Sequence, residues 1–286
     1  MAESPANEAL TRVAFPNAKV NLGLQVRNRR KDGYHNIEGL FLPVPWQDTL
    51  ELEVLEAGNT HEINSLGLAI PGAPEDNLII KAAFLLQKEV DLPPMRFHLI
   101  KSIPMGAGLG GGSANGAFAL KLINEHFNLG LDHVELEAYA ARLGSDCPFF
   151  IQNVCAHVSG RGERVRPMPL QIEGWWIALL NPGIHIRTAD AFNGITPNDD
   201  RPGLGDWKGT GPTDWTGALQ NDFTKPVAEQ HPAIQEALDR LTQHGATFAD
   251  MSGSGSTVFG FFQDAPPPEL MSNCPAHWRT WQGQFT

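Results

Sequence analysis

Five glycines stand within the seven residues 106–112, in the stretch PMGAGLGGGSANG. Each glycine weakens a helix or strand by about 0.5–1 kcal/mol, so such a run favours a place where bare backbone is useful. Alternating residues 95–101 before it predict a strand, and apolar residues at helical spacing over 113–127 predict a helix. A strand, a glycine turn and a helix N-terminus together indicate a phosphate-binding loop, because free N–H groups and the helix dipole both attract anions.

Two other nucleotide motifs fit this run poorly. A Walker A loop needs a lysine before its serine or threonine, whereas Ser113 follows a glycine. The spacing Gly106-x-Gly108-x-x-Gly111 matches a dinucleotide fingerprint by letter, but no acidic ribose ligand follows in a βαβ context. On the residues alone, a flexible turn without a ligand is the alternative. The Ser113 hydroxyl is placed either to cap the helix or to contact a metal ion.

Two charged residues occupy unusual places. Lys19 lies inside the strand-like stretch AKVNLGL, where a lysine either reaches the sheet edge or has a charged partner. Asp146 follows a predicted helix stop at Gly144 and precedes an apolar run. Each residue alone is more typical of a structural role than of catalysis. The combination with a phosphate loop favours a catalytic role for both.

Length and composition are those of a globular protein with room for one large or two modest domains: 286 residues, 42% hydrophobic and 19% charged. A net charge of −11 argues against non-specific nucleic-acid binding, which needs a basic surface. The absence of an apolar stretch long enough to span a membrane, and of a secretory signal in MAESPANEAL, argues against a membrane partner and for the cytoplasm. Three cysteines without CxxC spacing favour a reducing compartment.

The order of elements predicts an α+β protein with two packed lobes, a domain of residues 1–165 followed by a domain of residues 166–286. A capping-box pair, Asp132 and Glu135, predicts the start of a helix that stops at Gly144. A polar connection is predicted over 195–215, and a further helix over 230–244. Other strands are predicted at 12–27, 48–55, 149–158 and 175–183, with a strand–turn–strand unit over 246–263.

Five stretches, in this order and spacing, resemble the GHMP kinase superfamily, which includes galactokinase and the homoserine, mevalonate and phosphomevalonate kinases. The glycine loop marks the superfamily. The segment DGYHNIEGLF is narrower, and it resembles the branch whose substrate carries a cytidine diphosphate group. The resemblance covers residues 13–262 and is carried by PNAKVNLGLQVRNRRKDGYHNIEGLF, PMGAGLGGGSANGAFAL, LGSDCPFF, NPGIHIRTADAF and DMSGSGSTVF.

The resemblance implies a two-lobed fold with the active site in the cleft. The N-terminal lobe would carry the phosphate loop and Lys19, and the C-terminal lobe would form a ferredoxin-like α/β sandwich. The reaction implied is transfer of the ATP γ-phosphate to the 2-hydroxyl of a methylerythritol linked to cytidine diphosphate, in the non-mevalonate isoprenoid pathway of bacteria or plastids. ATP would contact Pro104, Gly106, Gly108, Leu109, Gly110, Gly111, Gly112 and Ser113.

By the same resemblance, Asp146 accepts the proton of the substrate hydroxyl, and Lys19 keeps Asp146 ionised and orients that hydroxyl. These residue types suit phosphoryl transfer, where catalysis is largely positioning and charge stabilisation. The phosphate charge calls for a divalent cation, Mg²⁺, with Ser113 as a candidate ligand.

The resemblance also implies substrate-binding residues. Tyr34 and Phe192 would sandwich the cytosine ring, and His35 would contact the base edge. Asn21 would lie near the methylerythritol hydroxyls, and Thr188 would contact the substrate. The turn SGSGS (252–256) would approach the diphosphate through Gly253 and Gly255.

Some features depart from the pattern or leave alternatives. Ala114 stands where many relatives have a second serine, and residues 201–216 have no counterpart. One alternative is a GHMP kinase for a small alcohol without a nucleotide; another is a non-catalytic ATP-binding relative, against which the presence of Lys19 and Asp146 argues.

A monomer or weak homodimer is expected. The basic cluster Arg27, Arg29, Arg30 and Lys31 is typical of a solvated turn.

Overall fold

The protein combines sheets and helices in a mixed order, which confirms the α+β prediction. A computed structural model describes residues 12–58, 60–205, 207 and 211–286. Its strands are β1 (Arg12–Ala14), β2 (Asn17–Arg29), β3 (His35–Gln47), β4 (Thr49–Val54), β5 (Glu62–Gly67), β6 (Met95–Lys101), β7 (Ala156–Gly160), β8 (Arg164–Pro167), β9 (Trp176–Asn181), β10 (Phe248–Met251), β11 (Val258–Phe262) and β12 (Arg279–Gln284). Its α-helices are α1 (Leu78–Gln87), α2 (Gly111–His126), α3 (His133–Leu143), α4 (Phe149–Gln152), α5 (Thr188–Asn193), α6 (Thr224–Gln230), α7 (Pro232–Gln243) and α8 (Pro268–Ser272).

The strands form three four-stranded sheets. The first has the order β1-β4-β6-β5, in which β5 runs parallel to β6 and the other pairs are antiparallel. The second, β2-β3-β7-β8, is antiparallel throughout. The third, β10-β11-β9-β12, is also antiparallel and carries α7. A membrane-crossing helix, which must be long and continuously apolar, does not occur in the described part of the chain.

The long strand β3 joins the lobes because it has apolar side chains on both faces. On β3, Phe41 packs in the core shared with α1, α2 and α4, whereas Leu40 and Leu42 pack in a second core. That second core also contains Leu179 of β9 and Phe259 of β11 from the third sheet. Side chains alternate between the faces of a strand, so one strand contributes to both cores. Strand β3 therefore contributes side chains to two of the apolar cores.

Several predicted elements are confirmed. The strand over 95–101 matches β6, and the capping box of Asp132 and Glu135 is formed at the start of α3. The helix predicted over 230–244 is present as α7. The predicted border at residue 165 falls inside β8, whose partner is β7, and stays a prediction.

The prediction of a strand over 149–158 is wrong in its first half. Residues Phe149–Gln152 form α4, and the strand β7 begins at Ala156. Pro148, with φ −57°, presets a helical turn. The aromatic pair that suggested a strand, Phe149 and Phe150, is fully buried, because tertiary packing overrides local propensity. The sequence reasoning also missed the strands β3, β5, β8 and β12 and the helices α1, α5, α6 and α8.

Candidate active site

Strand β2 brings Lys19 and Asn21 to one side of the second sheet. The residues that alternate with them, Ala18, Val20 and Leu22, are fully buried in the second core. A strand has a side-chain period of two, so Lys19 and Asn21 face the opposite side together. The Lys19 ammonium donates to Asn21 Oδ1 at 2.5 Å and lies 4.6 Å from the centre of the Phe41 ring. The strand thus holds the amine in one position.

The glycine run forms a loop that ends at the N-terminus of α2. Gly106, Gly108 and Gly110 have φ values of +63°, +80° and +68°, which favour glycine. Gly110 is the residue before α2, and its carbonyl accepts the first helical hydrogen bond, from Ala114 N at 2.9 Å. The first N–H groups of a helix have no acceptor within the helix. The loop therefore presents backbone donors and the positive end of the α2 dipole to a ligand.

Asp146 lies in the turn between α3 and α4, and its carboxylate faces Lys19. The distance from Lys19 Nζ to Asp146 Oδ2 is 3.6 Å, with 4% of the Lys19 side chain and 33% of the Asp146 side chain exposed. Lys19 N also donates to the carbonyl of Leu109 at 2.9 Å, which ties β2 to the glycine loop. The acid, the amine and the loop, which are distant in sequence, are therefore adjacent in the structure.

Burial lowers the pKa of the Lys19 ammonium, and the neighbouring Asp146 carboxylate opposes that effect. Desolvation is the larger of the two influences. Asp146 is therefore the partner that favours the protonated amine against its burial. An active site that needs this ammonium must lose activity as pH rises through the lowered pKa.

We expect turnover to fall on the alkaline side with an apparent pKa below 10.5, the ordinary value for lysine. In Lys19→Arg the remaining activity should show no such fall at alkaline pH, because a guanidinium stays protonated up to a pH of about 12 or more. The measurement is kcat at saturating substrates from neutral to alkaline pH. If kcat of Lys19→Arg fell with pH in the same way as that of the wild type, the loss of activity would be due to another titrating group.

The turn SGSGS packs directly on the glycine loop. Ser252 Oγ donates to the carbonyl of Gly108 at 2.8 Å and accepts from Asn21 N at 3.2 Å. Thr257 N donates to the carbonyl of Ala107 at 3.1 Å. Asn221 Nδ2 in turn donates to the carbonyls flanking Ser252, those of Met251 and Gly253, both at 2.7 Å. The C-terminal lobe is thereby hydrogen-bonded to the glycine loop.

A cavity of about 1170 Å³ lies between these elements. Its lining includes both Lys19 and Asp146 and almost all the other predicted site residues: Asn21, Tyr34, His35, Pro104, Gly106, Gly108, Gly110, Gly111, Gly112, Ser113, Thr188, Phe192 and Gly253. The structure thus brings together residues from both lobes. Their individual roles stay predictions.

Two predicted contact residues, Leu109 and Gly255, do not line this cavity. The Leu109 side chain is 1% exposed in the second core, and its carbonyl accepts from Lys19 N. Gly255 N donates to the carbonyl of Ser252 at 3.0 Å, inside its own turn. A Cβ on Gly255 would lie 2.7 Å from Met251 Sδ, so close packing behind the turn explains this glycine. Both residues therefore pack beneath the cavity surface and do not line the cavity.

The aromatic end of the cavity contains a ring pair that the sequence did not predict. Phe192 stacks on His35, with ring centroids 4.6 Å apart and planes inclined by 9°. Tyr34 is 58% exposed, and the Arg161 guanidinium lies 5.1 Å from the centre of its ring. The ring pair in this structure is therefore Phe192 with His35. Tyr34 lies at the solvent side of the cavity, with Arg161 over its ring.

Four basic residues of the cavity were not predicted as site residues: Arg29, Arg161, His185 and Arg187. Arg29 belongs to the cluster that was interpreted as a solvated turn. Arg29 and Arg161 form no salt bridge among the described residues, whereas Arg187 pairs with Asp190. Arg29 is exposed, as predicted. The prediction of a solvated cluster is wrong for Arg27, which is 9% exposed and donates to Glu38. A basic residue between glycines, as in SGRGE, was the signal available for Arg161.

Two family models match the chain. The model described as GHMP kinases N terminal domain matches residues 77–161, and the one described as GHMP kinases C terminal matches residues 213–279. The first of these ranges contains the glycine loop and Asp146. The second contains the turn SGSGS.

Curated relatives are similar over most of the chain. A Bacteroides thetaiotaomicron protein named 4-diphosphocytidyl-2-C-methyl-D-erythritol kinase is 45% identical over 252 residues, covering 88% of this chain and 92% of the relative. A Parabacteroides distasonis protein of the same name is 39% identical over 277 residues, covering 96% and 100%. A crystal structure of 4-(cytidine 5'-diphospho)-2C-methyl-D-erythritol kinase has a TM-score of 0.77 and 30% identity, covering 95% and 98%.

Proposed function

The chain belongs to the GHMP kinases, and from this membership we propose that it transfers the γ-phosphate of ATP to the 2-hydroxyl of 4-diphosphocytidyl-2-C-methyl-D-erythritol. Its relatives of high identity bear the name of that kinase. The observation that carries the proposal is the pairing of Lys19 and Asp146 at 3.6 Å, beside the glycine loop and in the same cavity as Tyr34 and His35.

The reaction needs few covalent tasks from the protein. The glycine loop and the α2 N-terminus hold the triphosphate, because their free N–H groups can donate hydrogen bonds to phosphate oxygens. Asp146 accepts the proton of the attacking hydroxyl as its oxygen bonds to the γ-phosphorus. Lys19, 3.6 Å from this carboxylate, fixes the hydroxyl together with Asn21 in line with the leaving ADP. In a loose phosphoryl-transfer transition state, this positioning and the surrounding positive charge supply most of the rate enhancement.

The other end of the cavity suits a cytidine diphosphate. The ring pair of His35 and Phe192, with exposed Tyr34, offers aromatic faces for a base. Arg29 and Arg161 line the cavity and form no salt bridge among the described residues, so their positive charge suits the diphosphate. A chain with net charge −11 needs such local cations to attract an anionic substrate.

The cavity fits a magnesium ion brought by the nucleotide. In the described part of the chain, no cluster of three or more His, Cys, Asp and Glu side chains is arranged to hold a metal. Ser113 and Asp146 both line the cavity and offer oxygen atoms. Mg²⁺ is commonly held by one or two protein oxygens together with substrate phosphates and water. When bound, the ion would neutralise phosphate charge beside Ser113.

The direct test is ADP release in a coupled assay with three acceptors: the cytidylylated methylerythritol, homoserine and mevalonate. We expect turnover with the first and background rates with the other two, because the small alcohols lack a base for the aromatic end of the cavity. Turnover of homoserine or mevalonate alone would replace this proposal with the small-alcohol alternative. No turnover of any acceptor, with ATP bound, would favour a non-catalytic relative.

Tyr34→Ala should raise KM for the cytidylylated substrate about tenfold, because base–aromatic stacking contributes about 1–3 kcal/mol. KM for ATP should stay unchanged. Phe15→Ala is a matched control, since Phe15 is exposed to a similar degree, 53% against 58%, and lies outside the cavity. Steady-state kinetics with each substrate varied in turn give both constants. An unchanged KM for the cytidylylated substrate in Tyr34→Ala would remove Tyr34 from base recognition.

The location in the cytoplasm, or in a plastid stroma for a plant protein, stays a prediction. A monomer or weak homodimer, without nucleic-acid or membrane partners, also stays a prediction.

A further inference from the structure

One buried carboxylate, that of Asp48, lies behind the glycine loop and contacts no part of the cavity. Asp48 stands between β3 and β4 and is 0% exposed. Its Oδ1 accepts from Ser102 N at 2.7 Å and from Ile103 N at 2.9 Å. Its Oδ2 accepts from Asn115 Nδ2 at 2.8 Å and from the Lys101 ammonium. All four donors belong to segments that flank the glycine loop.

These contacts join the two ends of the loop. Ser102 and Ile103 are the residues that lead from β6 into it, and Asn115 lies in the first turns of α2, which follows it. The intervening residues, 104–114, are the stretch whose glycines line the cavity. The Asp48 carboxylate thus links the chain segment before the glycine loop to the segment after it. The separation between the loop's ends is set by groups that do not touch the cavity.

Lys101 completes the arrangement. Neither it nor Asp48 has any exposed side-chain surface. A Cβ on Gly111 would lie 3.0 Å from Lys101 Nζ, so the ammonium lies directly behind the last glycines of the loop. Burial lowers the pKa of Lys101, and Asp48 opposes this effect.

A buried ion pair is a weak source of net stability, because desolvation offsets most of the attraction. Apolar residues of the same volume would pack there at least as well. Directional hydrogen bonds, however, define the positions of backbone N–H groups in a way that apolar contacts do not. The geometry of Asp48 therefore suggests a role in position more than in stability.

We propose that Asp48 and Lys101 are positioning residues for the nucleotide, which hold the two ends of the glycine loop in the spacing that the ATP phosphates need. This inference rests on the proposed function only in assuming that the loop binds ATP. Asp48 acts through the loop and touches neither substrate.

Asp48→Asn and Lys101→Met test the proposal through the dissociation constant of a non-hydrolysable ATP analogue, measured by calorimetry without an acceptor. In Asp48→Asn we expect this constant to rise about tenfold or more, since small misplacements of positioning groups have large effects. KM for the cytidylylated substrate should change less than about twofold. Lys101→Met should have a smaller effect, because Asp48 then keeps its two backbone donors and Asn115.

Loss of stability alone must not imitate this result. Leu86→Ala is the matched control: Leu86 is fully buried in the first core, two turns along α1 from Leu78, which lines the cavity. It should lower Tm and leave the analogue affinity of the folded protein unchanged. The double variant Asp48→Asn/Lys101→Met, which leaves no unpaired charge, should regain Tm but keep the weakened affinity.

Asn115→Ala keeps the test decisive if Asp48→Asn does not fold, because it removes only the link to α2. We expect it to weaken analogue binding as well. Wild-type analogue affinity in folded Asp48→Asn, or in Asn115→Ala if the former does not fold, would show a purely structural role and overturn the inference. If the wild-type protein binds the analogue but does not phosphorylate the cytidylylated substrate, the proposed function fails, and the analogue affinities still decide this inference.

Discussion

Asp146→Asn is expected to lower kcat by at least about a hundredfold, because a positioned general base contributes about 10²–10⁴-fold. The amide has nearly the shape of the carboxylate but cannot take the proton of the attacking hydroxyl. Lys19, 3.6 Å away and 4% exposed, also loses its charged partner. Binding of ATP should persist, since the glycine loop itself is unchanged. The loss should therefore appear in kcat with little change in KM for ATP.

Single-turnover and steady-state kinetics measure this effect, with calorimetry for ATP. Asp132→Asn is the matched control, since it makes the same chemical change at the exposed first residue of the α3 capping box. Asparagine caps a helix about as well as aspartate, so this variant should keep both stability and turnover. Turnover at the wild-type rate in Asp146→Asn would exclude Asp146 as the base.

Gly108→Ala should abolish most activity for a different reason. A Cβ on Gly108 would lie 2.0 Å from the carbonyl oxygen of Ser252, and the residue has a φ of +80°. The glycine loop and the turn SGSGS must then move apart, which breaks the Ser252 hydrogen bond to Gly108. We expect kcat/KM for ATP to fall about a hundredfold or more, because the phosphates lose their aligned donors.

Gly130→Ala separates backbone strain from this clash. Gly130 has a similar φ of +73°, but a Cβ there meets nothing within 4 Å. The left-handed conformation alone should cost about 1–2 kcal/mol of the free energy of unfolding and leave ATP kinetics unchanged. Comparing kcat/KM and Tm of the two variants isolates the contact between the lobes. Equal kinetics in both variants would contradict its importance for the loop.

The sequence was sufficient for the local parts of the site. The glycines within residues 106–112, between an alternating strand and an apolar helix, predicted a phosphate loop, and β6 and α2 confirm both neighbouring elements. Lys19 stood out because it interrupts an apolar strand. The capping box of Asp132 and Glu135 located α3. Each of these features depends on residues within a few positions of one another, whose backbone preferences are strong enough to be recognised locally.

Local pattern failed where packing decided the outcome. The aromatic residues of α4 favour strands in isolation, but a preceding proline and full burial make them helical. The thirteen-residue strand β3 was not predicted, because it contains prolines, which are rare within strands. The stacking of Phe192 on His35 was not predicted, and the sandwich of a base between Tyr34 and Phe192 stays a prediction. The orientation of such rings is set by neighbours that are distant in sequence.

The sequence by itself determined which chemical groups are present, an acid, an amine and a bare loop, and the short elements that carry them. Only the tertiary structure decided that these groups meet. Asn21 and Ser252 are 231 residues apart and share a hydrogen bond, and Asp48 reaches Ser102 and Asn115 across 54 and 67 residues. Such contacts form because burial of the shared apolar core brings distant strands together, and a buried polar group must then find its partner there.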